Sequence, residues 1–428
     1  MNHKTSQKPV QLSAFNCGGG SAEQFRWALP MRIAQGCWCK QWSLEFSHCD
    51  TPPGERGRES EGIPVLVSSR SRPESFSRLI SPTEWWMLSM PRGRCIDVQL
   101  CVEGHGAIDP SALAAAVSTA SQAFLGTRLV RRGRQWVDSG RAPAVRVAEA
   151  ADFDRTRLDS PLLRTRLARE GAACCEVLVV RGAPTTVIFR AHHAVMDAHG
   201  AMLWQAQVFR ALRGEAVEGA TSQPSPEQVM ADVAARLGLD LTPGKPAKLE
   251  WPSLLGKAPK GPSRSMWRRR TIEGTHPAVT AKIARLVTAY VGGPGSVAVP
   301  VNLRQHLPGM RITSTADGMV NVDIGADEDW NDVYASLLTA LDEHQYLAAL
   351  GEHALLKLPL PLLRALRIVV YDGVRKKGLC DAVAIVSDLG TVDLADFRAD
   401  GFEATAYYSL GSVEITPELN IEIGRAHV

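Results

Sequence analysis

The feature that most restricts the fold is a pair of apolar runs, Cys174–Val180 and Thr185–Ala191, separated only by Arg181-Gly182-Ala183-Pro184. Both runs are rich in β-branched residues, and a Gly/Pro break of that length is turn chemistry, so they predict two neighbouring strands. Strands with so few polar side chains must be covered on both faces. The material for such a core is present. At 428 residues, 45% apolar and 22% charged, the chain is long enough for two ordinary domains or one large fold of two similar lobes.

Around this pair the patterns are mixed. Ser81-Pro82-Thr83-Glu84 is a helix opening with a cap, a first-turn proline and a glutamate three residues on. Ile96–Val102 predicts a strand, Asp109-Pro110-Ser111 caps a helix running to about Phe124, and Leu129–Val137 predicts two short strands about an Arg-Gly turn. Leu158–Ala168 and His199–Leu212 predict helices. Residues 213–262 are rich in Pro, Gly and Ser and predict a linker holding one helix near Glu227–Leu237. Beyond it, helices are predicted at His276–Val291, Asp329–Leu350 and Leu360–Val369. Strands are predicted at Ser296–Val301, Met319–Ile324, Ala382–Val386, Ala404–Tyr408 and Glu414–Ile423. The expected organisation is an extension over 1–75, an N-terminal lobe over 76–212, a linker over 213–262 and a C-terminal lobe over 263–428. Strands and helices mix without strict alternation, which points to an α/β sandwich of two lobes.

Residues 1–75 are polar and aperiodic and are expected to form a loosely ordered extension. They carry Cys17, Cys37, Cys39 and Cys49; a metal site from Cys37, Cys39, His48 and Cys49 is disfavoured because only one spacing is tight. Nine scattered cysteines do not form a disulfide framework, no secretory signal opens the chain, and no apolar run reaches about 18 residues. A cytoplasmic protein without an integral membrane segment is the expectation. With Lys plus Arg at 48 and Asp plus Glu at 45, charge gives no support to a nucleic-acid partner.

The chemistry concentrates where the second apolar run ends, in Thr185–Gly200, TTVIFRAHHAVMDAHG. Adjacent side chains on an extended backbone point to opposite faces, so one of His192 and His193 can enter a cavity while the other packs behind it. Neutral imidazole is the side chain best suited to accept a proton near neutral pH. Asp197 is near enough to shape the loop by pairing with an arginine.

His192-His193-Ala194-Val195-Met196-Asp197 resembles the HHxxxDG signature of condensation domains of nonribosomal peptide synthetases, which is shared by chloramphenicol acetyltransferases, polyketide-associated acyltransferases and wax ester synthases. Val299-Pro300-Val301-Asn302-Leu303-Arg304 is similar to the "PVxLR" segment of these families, Gly318-Met319-Val320-Asn321 to their Gly-Asn strand start, and Ser387-Asp388-Leu389-Gly390 to their "SNLG" turn. The likeness runs in family order over residues 78–423. It implies a two-lobed chloramphenicol acetyltransferase-like sandwich with a tunnel between the lobes. It implies an acyltransferase that moves an acyl group from acyl-CoA, or from a phosphopantetheine thioester on an acyl carrier protein, to a small-molecule alcohol or amine, in natural-product or lipid biosynthesis. By the same resemblance His193 is the general base, His192 is structural, and Asp197 turns away into a salt bridge for which Arg304 is the partner. Gly200, Asn321 and Ser387 are assigned to substrate binding, and the reaction needs no tightly bound cofactor and no metal. Three departures are visible: Ala198 stands where the motif has glycine, Gly126 in Leu125-Gly126-Thr127 stands where condensation domains carry an arginine, and no "DFGWG" segment follows. The first two motivate the alternative of a catalytically inactive condensation-like module that binds a carrier protein.

Four blander or competing assignments stand beside these. A metal site from His192 or His193 with Asp197 and His199 requires a helix where TTVIF favours a strand. The stretch Arg264–Arg270 is either a dock for phosphates of the donor or a solvated edge, the latter being preferred. Ala354–Val370 is preferred as a packed core helix over a membrane-surface segment. Cys174 and Cys175 are expected to be inert packing.

Overall fold

The computed structural model describes residues 10–16, 76–90, 96–154, 160–163, 165–220, 222–243, 250–254, 256–257, 266–349, 354–410 and 419–427. Its framework is two mixed sheets with helices on one side of each. The first sheet runs in the order Phe402–Ser409, Asp97–Gly106, Thr185–His192, Cys175–Arg181, Ala144–Glu149. The second runs Met266–Ile272, Val10–Asn16, Leu419–His427, Ala384–Asp393, Gly295–Asn302, Asp317–Ile324. Seven α-helices lie among the described residues: α1 (Pro82–Leu88), α2 (Pro110–Ala123), α3 (Ala198–Leu212), α4 (Pro226–Leu237), α5 (Val279–Val291), α6 (Trp330–Asp342) and α7 (Leu360–Lys377). The architecture is mixed α/β, as the sequence predicts.

The apolar pair at the centre of the first sheet is Cys175–Arg181 with Thr185–His192, antiparallel, and every residue of the second strand is buried. One face packs under α2 and α3, where Phe189 meets Trp204 edge-on at 5.1 Å between ring centroids. The other face carries Ile188 against Cys101, Tyr408 and Trp267. In the second sheet, Val297, Val299, Val320, Val322, Leu419, Ile421 and Ile423 point into a separate core under α5 and α6. Period-two alternation therefore leaves the intervening residues of these strands on the sheet's other face.

Helix starts follow their cap chemistry. Ser81 and Glu84 make a reciprocal capping box at α1, Ser225 and Gln228 do the same at α4, and Asp109 caps α2 through the amides of Ser111 and Ala112.

Several segments differ from the sequence expectation, each with a local cause. The described part of Leu158–Ala168, residues 160–163 and 165–168, is not α-helical and holds one 3-10 turn, Pro161–Leu163. Its carbonyls go elsewhere, Leu162 to Arg146 and Leu163 and Thr165 to Arg190, which leaves them unavailable to a helical ladder. Helix α6 ends at Asp342 rather than near Leu350, because His344 takes a left-handed turn (φ 54°) that sends buried Tyr346 and Leu347 into the second core. Helix α7 extends to Lys377 and is not a packed core helix: only Leu360, Leu363 and Arg367 are buried, while Val369 is 70% exposed. It is held by one narrow stripe, in which Arg364 and Arg367 donate to the carbonyls of Leu88 and Trp86. Ser387-Asp388-Leu389-Gly390 forms an irregularity inside the strand Ala384–Asp393, with Gly390 at φ 77°, and not a turn between elements. The final strand is Leu419–His427, and residues 414–418 of the predicted Glu414–Ile423 lie outside the described residues.

The division along the chain also differs in detail. Within the stretch expected to be an extension, Val10–Asn16 pairs with Met266–Ile272 and Leu419–His427 in the second sheet. Cys17, Cys37, Cys39, His48 and Cys49 lie outside the described residues, as does Arg264. The expected linker contributes Val229, Val233 and Ala234 of α4 to the second core. Phe402–Ser409, late in the chain, crosses back to pair with Asp97–Gly106 at the edge of the first sheet.

Candidate active site at the end of the central strand

The strand Thr185–His192 ends on the first of the two histidines, and the chain turns at His193, Val195 N–H donating to the His192 carbonyl at 2.9 Å. His192 is buried, and its Nδ1 accepts from the Ala194 amide at 3.2 Å, which requires a lone pair on that nitrogen. Burial, with His193, Arg364 and Arg131 nearby, pulls its pKa down to about 3. His192 is thus a neutral, packed ring. His193 is half-buried, and its Nδ1 lies in the interior with no hydrogen-bond partner among the described residues. Its backbone carbonyl accepts from Thr315 Oγ1 at 2.7 Å, which pins the turn to the segment entering the strand Asp317–Ile324.

Asp197 caps α3 by accepting from the Gly200 amide at 2.7 Å. Its other contacts cross to the second sheet's segments: Arg304 donates twice at 2.9 Å, and the Ala316 amide donates at 2.8 Å. Burial alone pushes the Asp197 carboxyl up, and the Arg304 guanidinium overcomes it and holds the group below the usual carboxylate range. Arg304 is itself fixed by the carbonyls of Ile312 and Ser314. The acid is engaged by the Arg304 guanidinium and by the Gly200 and Ala316 amides. Both Asp197 oxygens accept hydrogen bonds, and among the described residues no group of three His, Cys, Asp or Glu is placed together.

The remaining sequence-assigned residues fall as follows. Gly200 is buried in the first turn of α3, and a Cβ there would stand 2.2 Å from the Thr313 carbonyl oxygen. Its place is a close crossing of two backbones, with no space for a ligand at that Cα. Asn321 is exposed on the strand Asp317–Ile324, on the face away from the core, and Ser387 sits opposite Glu422 in the second sheet. Ala198 begins α3 in helical conformation, so the missing motif glycine carries no strain. At Gly126 a Cβ would meet Thr313 Oγ1 at 2.3 Å and Gln223 Oε1 at 2.7 Å. The room an arginine would need is filled by the Thr313–Gln223 hydrogen bond, while Gln223 also donates to the Val195 carbonyl of the histidine turn. His199, lowered by burial, stands next to the Asp197 cap.

Two acidic residues near His193 were not singled out in the sequence. Burial raises the Asp317 carboxyl to about 6 against the pull of His193. Burial likewise raises the Glu422 carboxyl to about 7, offset in part by Ser409 and His193. The only signal in the chain is a polar residue alternating with apolar ones, Leu419, Ile421 and Ile423; what lies opposite is set by a crossing of sheets that spacing does not encode.

No protein-family model matches the chain, and no curated protein matches it. Among solved structures it is similar to the first condensation domain of the CDA synthetase, at 16% identity over 81% of this chain and 87% of that one, with a TM-score of 0.49. It is similar to the condensation domain of the Monacolin K polyketide synthase MokA at 12% identity over 79% and 87%, TM-score 0.48. It is also similar to polyketide synthase associated protein 5 from Mycobacterium tuberculosis, at 15% identity over 82% and 92%, TM-score 0.47.

Proposed function

We propose that the protein is an acyltransferase in which His193 is the general base, moving an acyl group from a CoA or carrier-protein thioester to an alcohol or amine. The observation that carries this assignment is the contrast between the paired histidines. His192 is packed and engaged, whereas His193 is half-buried, with a buried ring nitrogen that no group among the described residues claims. Its immediate acid, Asp197, is diverted to Arg304 and fixes the turn without gripping the ring. The order of the His-His-Asp segment and the Arg304 segment supports the same assignment by its resemblance to condensation-type acyltransferases.

The chemistry assigned to these groups is direct transfer. His193 removes the proton from the acceptor O–H or N–H as the freed electron pair attacks the thioester carbonyl. A C–O or C–N bond forms, the C–S bond breaks, and the imidazolium returns its proton to the departing sulfur, giving a free thiol. The packed neutral His192 and the Asp197–Arg304 clamp act as positioning groups for the turn. Asn321 and Ser387, on the second sheet, are assigned to the substrates; Gly200 serves the close crossing with Thr313.

The test is thiol release from a panel of acyl-CoA donors and small alcohols and amines. His193→Ala is expected to lower the rate by about 10²–10⁴-fold, the range for loss of a general base. Equal turnover by the two proteins removes His193 from the chemistry. Binding of an acyl carrier protein with no thiol release from any donor points instead to a non-catalytic carrier-binding module.

A further inference from the structure

A catalytic imidazole is ordinarily turned and held by a hydrogen bond at one ring nitrogen, yet the buried Nδ1 of His193 has no partner among the described residues. The neighbouring acid, Asp197, is taken by Arg304 and by the Gly200 and Ala316 amides. Control of the side chain then passes to the backbone, because the two rigid peptide planes that flank a Cα fix the direction of its Cα–Cβ bond. Both planes around His193 are held. In the plane before it, the His192 carbonyl accepts from the Val195 amide at 2.9 Å. In the plane after it, the Ala194 amide donates to His192 Nδ1 at 3.2 Å, and the His193 carbonyl accepts from Thr315 Oγ1 at 2.7 Å. The first two of these bonds lie within the turn. The third comes from a residue 122 positions along the chain.

The Thr315 hydroxyl is itself rigidly placed. It belongs to a run, residues 312–316, in which every residue is buried. The carbonyls of Ile312 and Ser314 accept from Arg304, Thr313 Oγ1 donates to Gln223 Oε1 at 2.9 Å, and the Ala316 amide donates to Asp197. Gly200 lets the run approach, since any Cβ there would stand 2.2 Å from the Thr313 carbonyl oxygen. Gln223 in turn donates to the Val195 carbonyl at 3.2 Å. The run therefore grips the histidine turn at His193 directly, at Val195 through Gln223, and at Asp197 both directly and through Arg304. Thr315, β-branched and so restricted in rotamer, is the member whose bond falls on the base itself.

Resting on the acyltransferase assignment, we infer that Thr315 is a positioning residue for the reaction: its hydroxyl fixes the peptide plane after His193 and so aims the imidazole at the acceptor. The hydroxyl is committed to a backbone carbonyl, so its loss acts through His193 and not through a substrate contact. A geometry held in this way leaves the ring free of any protein hydrogen bond that would compete with the acceptor for its lone pair.

Thr315→Val keeps the shape and removes the donor, and Thr315→Ser keeps the donor. Crystal structures of the wild type and the two variants read the aim without turnover. The His193 ring is expected to be displaced, or split between two positions, in Thr315→Val and to return in Thr315→Ser. In thiol release, Thr315→Val is expected to lower kcat by at least about tenfold with KM within about twofold, because a misplacement of about 1 Å costs about 10²-fold. Thr315→Ser is expected to bring kcat back to within about threefold of the wild type. In a His193→Ala background Thr315→Val is expected to do nothing further, a coupling that a merely structural loss would not produce. Thr315→Ala, which removes the donor without setting a methyl group against the carbonyl, is a second variant with the same expectations. An unmoved ring in Thr315→Val overturns the proposal, as does a loss of kcat that Thr315→Ser does not restore. The two assignments fail differently. Thiol release that depends on His193 and is indifferent to Thr315→Val sinks the positioning role alone, and a ring displaced in Thr315→Val with no thiol release by the wild type sinks the acyltransferase.

Discussion

The histidine pair illustrates how much one position along a strand decides. The sequence places His192 and His193 on opposite sides of the chain, and their surroundings differ accordingly: one ring is packed and accepts an amide, the other has a buried nitrogen with no partner among the described residues. His192 makes stability depend on pH. Its pKa is depressed in the folded protein, so between about 3 and the ordinary histidine value the unfolded chain binds more protons. Stability from this group is complete above that ordinary value and is lost as pH falls towards about 3. Urea unfolding is expected to show a falling midpoint as pH drops below about 6.5, with a shallower slope in His192→Gln; His199, also lowered by burial, adds a smaller slope of the same sign. A midpoint independent of pH in that window contradicts the packed, neutral ring. Arg304 carries a second residue-scale prediction. Arg304→Ala leaves the Asp197 carboxylate buried and unpaired, and unfolding by urea is expected to register a loss of about 3–5 kcal/mol. A loss below about 1 kcal/mol would mean that the pair is worth no more than a surface bridge.

At the scale of elements, the parts with explicit local chemistry were legible: capping boxes at Ser81 and Ser225, the Asp109 cap, and the apolar strand pair. The parts decided by distant partners were not. Leu158–Ala168 has helical composition, yet Arg146 and Arg190 take its carbonyls, and those arginines are placed by strands far along the chain. The same limit applies to Gly126, whose lack of a side chain is understandable only once Thr313 and Gln223 are seen to fill the space. Gly200 is the sharpest element-level constraint, because α3 crosses the Thr313 backbone there with no room for a methyl group. Gly200→Ala is expected to cost about 1–3 kcal/mol as the backbones part, read as a lowered urea midpoint with an unchanged slope. An unchanged midpoint would show that the crossing yields freely.

For the whole molecule, the decisive feature is that the two sheets are not built from separate stretches of chain. Phe402–Ser409 completes the first sheet, and Val10–Asn16 joins the second from the other end of the sequence. A boundary near residue 262 separates the compositions of the two halves and does not separate their hydrogen bonding. Residues 76–262 produced alone are expected to lack a stable fold or to associate through the uncovered edge of Asp97–Gly106, and size-exclusion chromatography with limited proteolysis would show it. A protease-resistant monomer of that fragment would contradict the shared-sheet account. Among the described residues no helix is long and apolar enough to cross a membrane. The Asp197–Arg304 pair ties the histidine turn to the segment that follows Gly295–Asn302 of the second sheet, so the candidate site depends on the topology of the whole chain as much as on its motif. The most direct test of the central claim is a single-turnover comparison of wild type and His193→Ala, with an acyl-CoA donor, an acceptor and matched near-ultraviolet circular dichroism. Loss of thiol release by about 10²-fold or more in a variant that is still folded is the predicted result; release at the wild-type rate would contradict it.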